Sequence, residues 1–132
     1  MSQFGAQFHG KSDRASSGSG KPKNALRDKR RSESGGYFTA TKLGTEVMVK
    51  KVRGRGGVLK DTLKHALFAN VLTKSGYKKA KITGVMDSND NRNFARLGII
   101  TKGAVINTEL GKARVINRPG QEGSINARLV EG

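Results

Sequence analysis

Leu59-Lys60-Asp61-Thr62-Leu63-Lys64-His65-Ala66-Leu67-Phe68-Ala69-Asn70-Val71-Leu72 admits two readings. Leu63, Leu67 and Val71 would share one helix face, and the same stretch is compatible with extended chain; spacing alone leaves both open. The flanks are clearer. Upstream, Tyr37-Phe38-Thr39-Ala40-Thr41 is rich in aromatic and β-branched residues and reads as a strand. Glu46–Val52 follows with Val47 and Val49 alternating with Met48 and Lys50, and Gly54-Arg55-Gly56-Gly57 breaks it. Downstream, Lys79–Val85, Lys102–Leu110, Lys112–Asn117 and Ser124–Val130 read as strands, with Gly111 and Pro119-Gly120 as turns between the last three. Arg118-Pro119-Gly120-Gln121 fits a type II turn, Pro presetting φ and Gly supplying a positive φ after it. A short helix is expected around Asn93–Leu97, stopped by Gly98. Short strands at near-regular spacing predict an all-β fold, a small barrel or sandwich with at most one short helix.

Charge locates the partners. The 132 residues hold 26 Lys and Arg against 10 Asp and Glu, a net charge of +16. Such a polycation repels itself, and a polyanion relieves that repulsion on binding. Nucleic acid is the leading candidate, ahead of an anionic membrane surface. No apolar run approaches the roughly 20 residues of a membrane span, and no charged-then-apolar leader opens the chain. These features fit a soluble intracellular protein. Of the 29 Leu, Ile, Val and Phe residues only Phe4, Phe8 and Leu26 precede residue 36. Residues 1–35 therefore read as a basic, flexible extension without a core of its own, and residues 36–132 as the barrel domain.

Several stretches imitate chemistry. Gly5-Ala6-Gln7-Phe8-His9-Gly10-Lys11-Ser12 matches a phosphate-loop pattern by letter. Only four residues precede it, too few for the delivering strand, and a Ser/Gly-rich stretch stands where the helix belongs. Asp87-Ser88-Asn89-Asp90-Asn91 opens like a calcium loop, but Arg92 and Gly98 occupy the positions that need Gly and a bidentate Glu. There is no Cys, and His9 and His65 lie far apart, so no metal or cofactor is expected. No nucleophile has an evident base beside it, which argues against an enzyme and a small-molecule substrate. Arg53-Gly54-Arg55-Gly56-Gly57-Val58-Leu59-Lys60, by contrast, sets cations on a loop whose glycines let backbone N–H groups approach phosphates. Lys29-Arg30-Arg31 and Lys78-Lys79-Ala80-Lys81 add further clusters. With aromatics only 5% of the chain, phosphate and shape contacts are expected rather than base stacking.

The C-terminal third is more specific. Ile99-Ile100-Thr101-Lys102-Gly103-Ala104-Val105-Ile106, then Thr108-Glu109, Gly111, Ala113, Val115, Arg118-Pro119-Gly120-Gln121, Gly123 and Asn126-Ala127, closely resembles the eight-e small-subunit ribosomal protein family of archaea and eukaryotes. Lys29-Arg30-Arg31 with Glu33 and Gly35, Val52-Arg53 with Gly56-Gly57 and Lys60, Asn70-Val71, and Lys79-Ala80-Lys81-Ile82 fit in order. The resemblance spans roughly residues 8–130. Phe8-His9-Gly10-Lys11-Ser12 and Gly18-Ser19-Gly20-Lys21 depart from the usual tail, and Val58 stands where Asn is common.

That resemblance implies a compact archaeal-type member with a small β-barrel, and strand for much of Leu63–Thr73. It implies a cytoplasmic, structural constituent of the small ribosomal subunit, with ribosomal RNA and neighbouring ribosomal proteins as partners. A free-standing nucleic-acid chaperone is the alternative, with a nucleotide hydrolase behind it. The cations expected to meet RNA are Lys11, Arg14, Lys21, Lys23, Arg27, Lys29, Arg30, Arg31, Arg53, Arg55, Lys60, Lys102 and Arg118.

Overall fold

The computed structural model describes residues 7, 8, 10, 14, 15, 17–24, 27, 28 and 30–130, the side chain of Arg55 excepted. The chain divides into two compact units, Met1–Phe38 and Thr39–Gly132. In the first, Phe8 pairs with Ser34 and Arg14 with Pro22 in isolated antiparallel bridges. The Gly35 N–H donates to Gln7 O at 2.6 Å and the Ala15 N–H to Lys21 O at 2.9 Å. A 3-10 turn spans Arg31–Glu33. None of the described residues of this unit is buried.

The second unit carries eight strands. A three-stranded sheet is ordered β1 (Lys42–Leu43), β3 (Leu59–Ala66), β2 (Met48–Arg53), with β1 parallel and β2 antiparallel to the central β3. The remaining strands close a barrel in the order β4 (Phe68–Thr73), β5 (Gly76–Asp87), β6 (Val105–Thr108), β7 (Gly111–Val115), β8 (Asn126–Leu129). Its pairs are antiparallel except β8 against β4, which is parallel and completes the circle. Leu67 alone separates β3 from β4.

The opening stretch is thus strand on both sides of a bend at Leu67. On β4 the burial alternates, Ala69 and Val71 inside, Phe68 and Asn70 outside, the period of two that a strand imposes. The helical spacing of Leu63, Leu67 and Val71 loses because β4 is paired on both sides, to β5 and β8. Val71 joins Ala80, Ile82, Ile106, Ala113, Val115 and Ala127 in the core, and Leu63 and Ala66 of β3 belong to the same cluster. Alanines alternate with Ile, Val and Leu in this cluster, as a narrow barrel with little interior to fill requires. Thr41, fully buried, is satisfied: its Oγ1 donates to Leu63 O at 2.7 Å, and its carbonyl accepts the Ile100 N–H at 2.8 Å.

The all-β barrel forms as expected, with three local corrections. Tyr37–Thr41 forms no strand; only Lys42-Leu43 pairs with β3 in a ladder, and Tyr37 stays 72% exposed. Two short helices form where at most one was expected. The first, α1 (Arg92–Arg96), stands where the sequence placed it, with Asn91 Oδ1 accepting the Asn93 N–H at 2.9 Å and Gly98 just past its end. The second, α2 (Pro119–Glu122), replaces the type II turn. Proline suits the first turn of a helix as well as it suits a turn corner. The positive φ falls on Gly123, at 70°, rather than on Gly120.

Candidate nucleic-acid interface

The cations of the first unit are unequal in what already holds them. Lys11 and Lys29 lie outside the described residues. Lys21, Lys23, Arg30 and Arg31 are exposed. Arg14 donates from Nη1 to Gly20 O at 2.6 Å, which fastens the Arg14–Pro22 loop. Arg27 is gripped by Glu33 through two bonds of 2.6 and 3.1 Å, and Glu33 also accepts the Arg30 N–H at 3.2 Å. The hydrogen bond to Glu33 raises the Arg27 pKa above its ordinary value; desolvation opposes it, and the carboxylate charge adds to it. Arg27 therefore serves the local fold, and a phosphate has to share it with Glu33.

The glycine loop joins β2 to β3. The Gly54 N–H donates to Val58 O at 2.7 Å, and Arg55–Gly57 makes one 3-10 turn inside that closure. Open space lies beside Gly56 and Gly57, so a ligand can approach their backbone. Register separates the cations around the loop. Val52 faces Lys60, and Arg53 faces Leu59. Arg53 and Lys60 therefore project from opposite faces of the hairpin, not into one patch. Arg53 makes no ion pair with Glu46 or Asp61 among the described residues; Lys51, not Arg53, is opposite Asp61. The side chain of Arg55 lies outside the described ones. Lys102 is exposed on the Thr101–Ala104 turn, and Arg118 precedes α2 and is exposed.

Charge clusters in the sequence do not reveal the outer wall of the barrel. On β7 and β8, Ala113, Val115 and Ala127 are buried while Lys112, Arg114 and Arg128 are exposed. β4, β7 and β8 contain no Asp or Glu. Asp90, Glu109 and Glu122 instead occupy loops, turns and α2, and Asp87 ends β5. Strand alternation in Lys112-Ala113-Arg114-Val115 is the signal that finds this surface. On the neighbouring wall Lys79 Nζ sits 4.5 Å from the centre of the Phe68 ring and covers it, while Asn70 Nδ2 donates to Asn126 Oδ1 at 3.1 Å.

The calcium-like stretch has structural work. Asp87 Oδ1 accepts the Ser88 N–H at 2.8 Å, and Asn91 caps α1. Among the described residues no three His, Asp or Glu side chains gather as a metal site would require.

A closed β-barrel with cations spread over its wall, a basic hairpin and a basic first unit is the build of a small polyanion-binding protein. The chain belongs to the family described as Ribosomal protein S8e, whose profile it matches over residues 9–130. It is 48% identical over 126 residues to the small ribosomal subunit protein eS8 of Sulfurisphaera tokodaii, covering 94% of this chain and 97% of that protein. It is 43% identical to the small ribosomal subunit protein eS8 of Nanoarchaeum equitans, again over 94% and 97%. Against that of Pyrobaculum aerophilum it is 42% identical over 131 residues, 98% of this chain and 99% of that one.

Proposed function

We propose that this protein is a structural constituent of the small ribosomal subunit in the cytoplasm, binding ribosomal RNA mainly through phosphates and contacting neighbouring ribosomal proteins, without a catalytic step. One observation carries the phosphate mechanism. Lys50, Lys51, Arg53, Lys60, Arg114 and Arg128 are exposed and have no carboxylate at ion-pair distance among the described residues. Cations left open in a chain of net charge +16 are supplied for an external anion. Arginine serves this role well because its planar fork donates bidentately to phosphate oxygens.

Co-sedimentation tests the reading. The protein is expected to stay with small subunits in moderate salt; a free-standing chaperone washes off, and that outcome defeats the proposal. The first unit supplies a second measurement. Its described residues are unburied, so amides of residues 17–24 and 30–36 are expected to gain exchange protection on RNA. Equal protection with and without RNA removes the first unit from the interface.

A further inference from the structure

The barrel wall holds a groove of about 880 Å³ whose lining includes Leu72, Lys74, Arg114, Ile116, Arg128 and Val130. Arg114 and Arg128 are direct cross-strand partners on β7 and β8, and both are exposed. Like charges placed opposite each other destabilise a sheet. No acid on β4, β7 or β8 separates them. Arg114 is also aimed: its Nε donates to Gly103 O at 3.4 Å, which draws its head toward the turn that carries Lys102 and leaves both Nη groups for a ligand.

Lys74, Arg114 and Arg128 line the groove from a hairpin tip and two strands, and Lys102 stands on the turn whose Gly103 carbonyl holds Arg114. Cations spread over several elements suit successive phosphates better than one small anion. Ile116 and Val130 are about half exposed, at 48% and 47%, and with Leu72 offer apolar surface beside the charges. An acidic peptide would meet the charges, but two planar guanidinium forks carried by adjacent strands, whose backbones run roughly 5 Å apart, are suited to donate bidentately to neighbouring tetrahedral oxyanions.

We infer that this groove binds the sugar–phosphate backbone of RNA, Arg114 and Arg128 each donating to phosphate oxygens while Leu72, Ile116 and Val130 lie against the sugars. The inference rests on the RNA-binding reading and deepens it. Bound phosphate also removes the repulsion between the two arginines, so the feature that weakens the free barrel strengthens the complex.

The test is salt-dependent binding of the full chain to an archaeal small-subunit ribosomal RNA transcript. Arg114→Gln with Arg128→Gln should flatten the log–log salt slope by about 1.4–1.8, two contacts at about 0.7–0.9 each. The gap to the wild type then narrows about sevenfold to twelvefold between 50 and 200 mM salt. The melting temperature of the free variant should equal or exceed that of the wild type. Arg92→Gln with Arg96→Gln, on α1, is the charge-matched control and should flatten the slope less. If the wild type binds and both pairs flatten it equally, or neither does, the groove is overturned and the RNA-binding reading stands. If the wild type does not bind the transcript, the reading fails and the groove with it. Loss of polyglutamate binding with an unchanged RNA slope would make the occupant an acidic protein and overturn the inference. Should the glutamine pair melt below the wild type, Arg114→Lys with Arg128→Lys keeps the charge and loses the fork. It should hold the slope while weakening affinity severalfold; unchanged affinity overturns the contact.

Discussion

Arg53 shows what a residue's register decides. Its neighbours in sequence make it one of several cations around a glycine loop; its place opposite Leu59, away from Asp61, leaves it unpaired by acid. Arg53→Gln is therefore expected to leave the melting temperature unchanged and to flatten the salt slope of RNA binding by about 0.7–0.9. A lowered melting temperature with an intact slope would return Arg53 to a structural role. Gly123 is fixed by both conformation and space. Its φ is 70°, and a Cβ there would stand 2.8 Å from the Asp61 Cβ and 3.6 Å from Val49 Cγ1. Gly56, at φ 72°, has nothing within 4 Å. Gly56→Ala should lose roughly 1–2 kcal/mol for the left-handed backbone. Gly123→Ala should lose a further ~1–3 kcal/mol for overpacking α2 against β3. Thermal melting of the two variants checks this, and equal losses would mean that β3 yields freely. Sequence marks Gly56 as a strand breaker and expects the positive φ at Gly120 instead of Gly123; the close approach of Asp61 comes from the fold and is not written locally.

At the scale of elements, two hairpins share one device. Thr73-Lys74-Ser75-Gly76 joins β4 to β5, and Thr108-Glu109-Leu110-Gly111 joins β6 to β7. In each, the Thr Oγ1 donates across the hairpin mouth to the Gly carbonyl at 2.7 Å. Thr73→Val and Thr108→Val should each cost about 0.5–1.5 kcal/mol, the worth of one such bond. A drop of several degrees in melting temperature is expected; no change would reduce the bond to a by-product of the turn. Most strands and α1 were legible because alternation and helix stop signals are local; Tyr37–Thr41 and the start of Lys102–Leu110 were not, as they lack a ladder partner. The decision over Leu59–Leu72 was not, because beside the local hairpin with β5 it rests on β8, which offers its partner far along the chain. The type II turn read at Pro119 failed for a different reason, since the same ring geometry opens both a turn and a helix.

For the whole molecule, charge counting points to a polyanionic partner and marks the basic segments, but it leaves the barrel wall unmarked. Residues 82–132 hold seven cations and five acids, the least basic third of the chain. The fold sorts these charges: acids go mainly to turns, strand ends and α2, while Lys112, Arg114 and Arg128 go to outward strand positions. A nearly neutral segment thereby acquires a cationic wall. Self-repulsion at +16 makes a further prediction. Raising salt from 50 to 500 mM shortens the screening length from about 14 to about 4 Å. The melting temperature of the free protein should rise over that range while RNA affinity falls. A melting temperature that falls with salt would show that attractive ion pairs, not repulsion, dominate the surface.

The single-residue join at Leu67 sets rules for where this chain can change length. β3 and β4 pass from one sheet to the other with no slack, so one extra residue there turns β4 over and presents Asn70 to the interior in place of Val71. The hairpin tips at Lys74-Ser75 and Glu109-Leu110 carry no such constraint, since residues added there leave both registers as they are. Lineages can lengthen this protein at its tips and have no room to do so at its hinge.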